Sequence, residues 1–222
     1  MATVVSVDEA VSLIKDGDSV MIGGFMGCGS PHQVIAALVS KGTKHLTVMC
    51  NDGARPEFGV GQLISNGQVK KLIATHIGLN PEVAKRMDTG ELQVELIPQG
   101  TFAECIRCGG NGMGGFLTPT GLGTIIADGK KIIRIDGKDY LLELPLTADV
   151  ALINGNKIDT KGNIWYRGAT RNFNVVMATA AALVIAEADH IVELGEIEPE
   201  NVATQGIFVD YIVKGGNTNG RY

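Results

Sequence analysis

Aromatic residues are scarce in this chain, at 5% of 222 residues, which leaves no platform on which nucleic-acid bases would stack. Basic runs are absent and the formal net charge is −5, so a polyanionic partner is not expected. No apolar stretch reaches the roughly 18 residues a membrane span needs. The opening Ala2-Thr3-Val4 leads straight into a helix signal, with no charged n-region, apolar h-region or cleavage site, so the expected setting is the cytoplasm. Cysteine is limited to Cys28, Cys50, Cys105 and Cys108, which read as reduced structural thiols. Cys105-Ile106-Arg107-Cys108 has C-x-x-C spacing, but no second ligand pair accompanies it, and no metal is expected. A G-x-S-x-G nucleophile elbow is also missing.

What remains is 45% apolar and 19% charged, a composition that folds. The length suits one large α/β domain, placed at residues 1–214, with a polar, glycine-rich tail at 215–222 expected to be flexible. Ser6-Val7-Asp8-Glu9 has the form of a capping box opening a first helix. Strand-like runs at Ser19–Gly23, Leu46–Cys50, Val69–Thr75 and Leu92–Ile97 then alternate with helix-like runs at Pro31–Ser40, Gly59–Ser65 and Pro81–Met87. Alternation of this kind predicts βαβ units and an open, mostly parallel sheet with flanking helices. A helix over Thr101–Arg107 follows, then hairpin material from Ile125 to Leu144 with turn dipeptides Asp128-Gly129 and Asp136-Gly137. Further strands are expected at Asp149–Asn154, Asn163–Trp165, Leu183–Glu187 and His190–Leu194, with a helix over Asn174–Ala181.

The densest feature is Asp16 to Pro31. Val20, Met21 and Ile22 end a buried strand, and Gly23, Gly24, Gly27 and Gly29 make a glycine elbow before a helix that starts after Pro31. At a strand's carboxyl end, four glycines in seven positions suit either a tight βα turn or a backbone presented to a ligand. Asn51-Asp52-Gly53 and Ile77-Gly78 fall at the ends of the next two strands, and therefore on the same sheet edge. A second glycine run, Gly109 to Gly115, contains G-x-G-x-x-G, but a helix precedes it and Phe116-Leu117-Thr118-Pro119 follows. That context is wrong for a dinucleotide site and leaves a loop, either plain or lying over an active site.

The segment Asp16-Gly17, Val20 to Ile22, Gly23-Gly24-Phe25, Gly29 and Pro31 resembles the α-subunit signature of the family I (3-oxoacid) coenzyme A-transferases. Further blocks agree in order. They are Asn51-Asp52-Gly53, Ile77-Gly78 with Asn80-Pro81-Glu82, Pro98-Gln99-Gly100-Thr101-Phe102-Ala103-Glu104, Thr118-Pro119-Thr120-Gly121, and Ala169 with Arg171-Asn172-Phe173-Asn174. They run from the first strand to about residue 210 and are most similar to bacterial acetate or butyrate–acetoacetate enzymes.

The resemblance implies a CoA-transferase fold, related to that of ribose-phosphate isomerases, with an inserted β-hairpin region. It also implies half an enzyme. The family's nucleophile is a glutamate within Ser-Glu-Asn-Gly on a β subunit; Glu200-Asn201 is followed here by Val202, so no catalytic residue is assigned to this chain. The implied partner is that β subunit, in the stoichiometry α2β2 by analogy with the family, and the CoA thioester is a substrate, with no resident cofactor. Gly24, Phe25, Met26, Gly27, Cys28 and Gly29 are expected to bind substrate and developing oxyanion charge through their N–H groups. Asn51 and Gln99 are expected to hydrogen-bond a short-chain carboxylate, and Phe102 and Met113 to line the pocket. Glu104 and Arg107 read as a structural i,i+3 ion pair, and Arg171 as an interface or CoA-phosphate contact. Two other readings compete: a noncatalytic small-metabolite sensor of the same fold, and a sugar-phosphate isomerase, which would need basic residues near the elbow.

Overall fold

The computed structural model describes residues 2–216, so most of the glycine-rich tail expected at 215–222 lies outside the described residues. The first half holds β1 (Thr3–Val5), α1 (Val7–Ser12), β2 (Ser19–Ile22), α2 (His32–Lys41), β3 (Leu46–Cys50), α3 (Gly61–Ser65), β4 (Val69–Ala74), α4 (Pro81–Asp88), β5 (Gln93–Leu96) and α5 (Gln99–Gly110). The second half holds β6 (Phe116–Thr118), β7 (Ile132–Ile135), β8 (Lys138–Glu143), β9 (Ala148–Asp159), β10 (Ile164–Trp165), α6 (Asn174–Met177), β11 (Ala181–Val192) and β12 (Tyr211–Lys214).

Local chemistry sets the boundaries. Glu9 N donates to Ser6 Oγ at 3.2 Å while Ser6 N donates to Glu9 Oε2 at 2.9 Å, so the expected capping box opens α1. Asn80 caps α4, with Pro81 in its first turn.

The main sheet runs β1-β12-β11-β9-β2-β3-β4-β5, all parallel, with β10 antiparallel on β9. From β2 the chain builds outward through β3, β4 and β5, then returns to place β9 on the other side of β2. β2 is thus the strand where the order reverses, and its carboxyl end is where open α/β sheets bind ligands. Helices cover both faces. Val34, Ile35 and Leu38 of α2 pack with Leu63 of α3 and Val83 of α4 on one side. On the other, Phe102 and Ile106 of α5 join Met177 of α6.

The inserted region forms its own antiparallel sheet, β6-β8-β7. Asp136-Gly137 turns its hairpin, with φ of 50° and 77° at the two residues as a type I′ turn requires. Asp128-Gly129 turns no hairpin; it follows a short 3-10 segment, Ile125–Ala127, on the way into β7. Other expected boundaries move. β9 and β11 are each 12 residues long, because their mutual parallel pairing, from Ala181 beside Ala148 to Val192 beside Asp159, continues through the polar residues Asn156-Lys157 and Asp189-His190. Asp189-His190 therefore lies inside β11, and α6 is shortened to four residues. β1 and β12 were not legible as strands, being short and parallel-paired to each other at the sheet's edge.

Candidate functional site

The glycine elbow leaves β2 at the switch point and folds into a miniature hairpin. Phe25 N donates to Cys28 O at 3.0 Å and Cys28 N to Phe25 O at 2.9 Å. Met26 and Gly27 form the tip with φ of 50° and 85°, a conformation few non-glycine residues adopt. The turn projects Phe25 and Met26, 42% and 49% exposed, away from the sheet.

Close approach explains the first glycines. A Cβ on Gly23 would lie 1.8 Å from Asn174 Oδ1. One on Gly24, whose φ is +116°, would lie 2.1 Å from Ser30 Oγ.

Three polar side chains from distant segments fix the hairpin. The buried carboxylate of Asp52, at the end of β3, accepts from Met26 N at 2.7 Å, Asn51 Nδ2 at 2.8 Å and Ala54 N at 2.8 Å. Asn172 accepts from Gly24 N at 3.1 Å and donates to Cys28 O at 2.9 Å. Asn174, fully buried before α6 continues, donates to Gly29 O at 2.9 Å and accepts from Asn154 N at 3.1 Å. Sequence reasoning found these residues as blocks but gave Asn172 and Asn174 no role, since nothing local shows that an asparagine braces a loop about 145 positions away.

The bracing revises the expectation for the elbow's N–H groups. Those of Gly24, Phe25, Met26 and Cys28 are engaged within the chain. Among the described residues only Gly27 and Gly29 of this set carry an N–H without an acceptor, and both residues are buried. An unpaired N–H in a protein interior is rare.

Asn51 and Gln99 are brought together as expected: Gln99 Nε2 donates to Asn51 Oδ1 at 2.9 Å. Their exposures differ. Asn51 is buried at 2%, whereas Gln99 begins α5 on the surface. Gln99 is therefore the accessible end of the pair, and Asn51 orients it.

Beside the hairpin tip lies a cavity of about 400 Å³, walled by Phe25, Met26, Cys28, Ala54, Phe58 and Leu79, with Arg55 and Glu57 at its lining. Burial raises the Cys28 thiol above its ordinary pKa, which keeps it protonated and poorly nucleophilic at neutral pH.

Two pocket assignments fail. Phe102 is fully buried, its ring centroid 5.5 Å from that of Phe173, in the core between α5 and the sheet. Its place one turn into α5 points it inward beneath Gln99. Met113 follows the far end of α5, a 12-residue helix about 18 Å long. There Gly109 and Gly110 pack on Leu146 and Thr179, just before β9 and β11 begin. Met113 and the Gly109–Gly115 run thus sit at the amino edge of the sheet, opposite the elbow, and no loop covers the site from there.

Two other readings hold. Arg107 Nε lies 2.8 Å from Glu104 Oε2 in a half-exposed ion pair. Cys105 and Cys108 are buried inside α5, and burial pushes the Cys105 thiol up to about 12. Arg171 lines a separate cleft of about 170 Å³ with Trp165, Tyr166, Glu200 and Asn201.

A family model described as coenzyme A transferase matches residues 4–215. The acetoacetyl-CoA:acetate/butyrate CoA transferase alpha subunit of Clostridium acetobutylicum is 55% identical over 203 residues, covering 91% of this chain and 93% of that one. The acetate CoA-transferase subunit alpha of Escherichia coli is 48% identical over 208 residues, covering 94% of each. Among solved structures, an Escherichia coli acyl-CoA transferase in a thioester complex with CoA superposes with a TM-score of 0.87 at 21% identity. The match takes in 99% of this chain but 49% of that one, so this chain spans about half its length.

Proposed function

This chain belongs to the coenzyme A transferase family, and on that premise we propose that it works as the α subunit of a two-component enzyme moving CoA between an acyl-CoA and a short-chain acid. The observation that carries the reading is the near-complete, high-identity match to α subunits, combined with an elbow at the switch point. The substrates proposed are acetoacetate with acetate or butyrate, the assembly α2β2 and the setting the cytoplasm. The two relatives named above are transferase subunits, which favours this reading over a noncatalytic sensor.

The nucleophile is assigned to a glutamate of the β subunit. Its carboxylate attacks the thioester carbonyl and expels CoA thiolate, leaving an acyl-glutamyl anhydride. The thiolate then attacks the glutamyl carbonyl, releasing the first acid and leaving a glutamyl-CoA thioester. An acceptor carboxylate repeats the two steps in reverse.

Each attack builds negative charge on a carbonyl oxygen. The unengaged N–H groups of Gly27 and Gly29 are the elbow's candidates to receive it, held in place beforehand by Asp52, Asn172 and Asn174. Gln99 is assigned to the acceptor carboxylate. An amide orients a carboxylate without the strong ion pair that would reduce its nucleophilicity. Phe25, Met26 and Cys28 wall the space for the acyl chain.

The test is acetoacetyl-CoA consumption with acetate or butyrate as acceptor, for this chain alone and co-expressed with a β subunit carrying Ser-Glu-Asn-Gly. Turnover only with the partner supports the reading. Turnover by this chain alone places the nucleophile here and overturns the assignment, and a stable complex with no turnover overturns the substrates.

A further inference from the structure

Glu187 lies on β11 with its side chain wholly buried. Its Oε2 accepts two bonds of 2.9 Å, from the N–H groups of Gln33 and Val34 in the first turn of α2. That turn has no acceptor of its own, because the residue at its N-cap is Pro31 and supplies no side-chain bond. The acceptor therefore comes from the centre of the sheet, 153 positions away.

The turn it holds is continuous with the elbow. His32 Nε2 lies 3.0 Å from Gly27 O, and Ser30 Oγ donates to Gly23 O at 3.0 Å. A second route joins the same residue to the same loop. Asn154 Nδ2 donates to Glu187 O at 3.2 Å, Asn154 N donates to Asn174 Oδ1, and Asn174 Nδ2 donates to Gly29 O. Two buried side-chain oxygens here lack partners among the described residues, Glu187 Oε1 and Asn154 Oδ1, on residues paired in register across β9 and β11. Glu187 is thus a carboxyl group set among acceptors on one side and helix N–H donors on the other.

We propose that Glu187 is a positioning residue for the elbow, holding the start of α2, and with it Gly27 to Pro31, in the active arrangement while its carboxyl group is ionised. The kinetic part of this inference rests on the transferase reading; the structural part does not.

The ionisation falls in a useful range. Burial raises the carboxyl's pKa to about 7, the bonds from Val34 and Gln33 oppose the rise, and the charge of Asp189 adds to it. Asp189 lies two residues along β11, on the same face. From α2 the nearest titratable group is His32, turned toward Gly27 O. β9 presents the uncharged Asn154 at the paired position, and on β12 the paired residue is Val213, with Lys214 alternating to the opposite face. Bonds from N–H groups to a charged carboxylate are about twice as strong as those to a neutral one, so protonation slackens the hold on α2.

Stability and activity then run in opposite directions. A carboxyl whose folded pKa is raised from 4.5 contributes its full stabilisation at low pH and loses it as pH climbs to about 7. Activity follows the ionised form instead. Between pH 8 and pH 6, kcat/KM should fall by up to about tenfold, the ratio of ionised fractions for one group titrating near neutrality.

The experiment measures kcat/KM from pH 6 to 8 for the complex with the β subunit, wild type and Glu187→Gln, together with amide exchange at Gln33 and Val34 in the wild-type chain. The amide variant can accept both bonds but does not titrate. Expected are a limb near pH 7 in the wild type that vanishes in the variant, and lower protection of Gln33 and Val34 at pH 6 than at pH 8 after correction for intrinsic exchange. A limb retained in Glu187→Gln, or protection independent of pH, overturns the proposal. If the wild-type complex transfers no CoA at all, the functional reading fails, and the exchange data alone decide on Glu187, as they do if the variant does not fold.

Discussion

Two glycine-rich runs of similar length meet opposite fates in this molecule. Gly23 to Gly29 lies at the carboxyl edge of the sheet, where β2 divides the strand order, and its backbone is gripped by Asp52, Asn172 and Asn174. Gly109 to Gly115 is richer in glycine, yet its first two members are absorbed into α5 and pack at the amino edge. Gly112 and Gly114 face open space. Composition cannot separate the two. What separates them is the strand each follows and the polar side chains that arrive from elsewhere in the chain.

Substitutions in the two runs can break this contrast. The largest effect is expected from Gly24→Val, which combines a positive φ with a collision at Ser30. Turnover should be lost and the melting temperature lowered, and near-normal kinetics in a folded variant would remove the elbow from the site. Asn172→Ala removes four hydrogen bonds, two of them to the hairpin at Gly24 and Cys28. A fall of about 10²-fold in kcat is expected from a displacement near 1 Å, with assembly retained on a sizing column. Gln99→Ala should raise KM for the free acid by about tenfold, in line with the loss of one hydrogen bond to a charged group, and leave KM for acyl-CoA unchanged. Steady-state kinetics with each substrate varied separately would expose an equal effect on both. The smallest effect belongs to the second run. Gly112→Ala meets nothing within 4 Å and carries only the strain of φ +66°, about 1–2 kcal/mol in a melting experiment, with kcat intact.

Much of the fold was legible because βαβ alternation writes itself into periodicity. Ser19–Ile22, Leu46–Cys50 and Val69–Ala74 are strands within a residue or so of their expected ends, and Asp136-Gly137 is the hairpin turn its dipeptide suggests. The edge position of Asn51 followed from topology in the same way, whereas Gln99 was legible only through the family block that contains it; the structure joins the two. Phe102 was misplaced because a bulky residue in a substrate-binding block looks the same whether it faces the ligand or the core; helix phase decides, and here it turns the ring onto Phe173. Met113 was misplaced because a helix carries a residue about 1.5 Å per position away from its start, and the glycine run gave no sign that α5 would continue through Gly110. Glu187 was invisible for a different reason. Within an apolar strand a glutamate reads as an exposed edge residue unless the helix N-terminus it serves is already in view.

The order of the strands also bears on how the chain acquires this site. β2 pairs with β9, whose first residue is more than a hundred positions downstream, and β1 pairs with β12 at the far end of the chain. Such distant pairings make for slow folding, since long loops must close before the contacts that favour closure exist. During synthesis the elbow emerges well ahead of Asn172, Asn174 and Glu187, the last of its braces. In a pulsed amide-labelling experiment, the N–H of Gly24 should gain protection later than those of β3 and β4; simultaneous protection would show that the elbow forms without its latch. On this account, the part of the site made first is the part shaped last, and a nascent chain stopped before α6 would carry a sheet without a working edge.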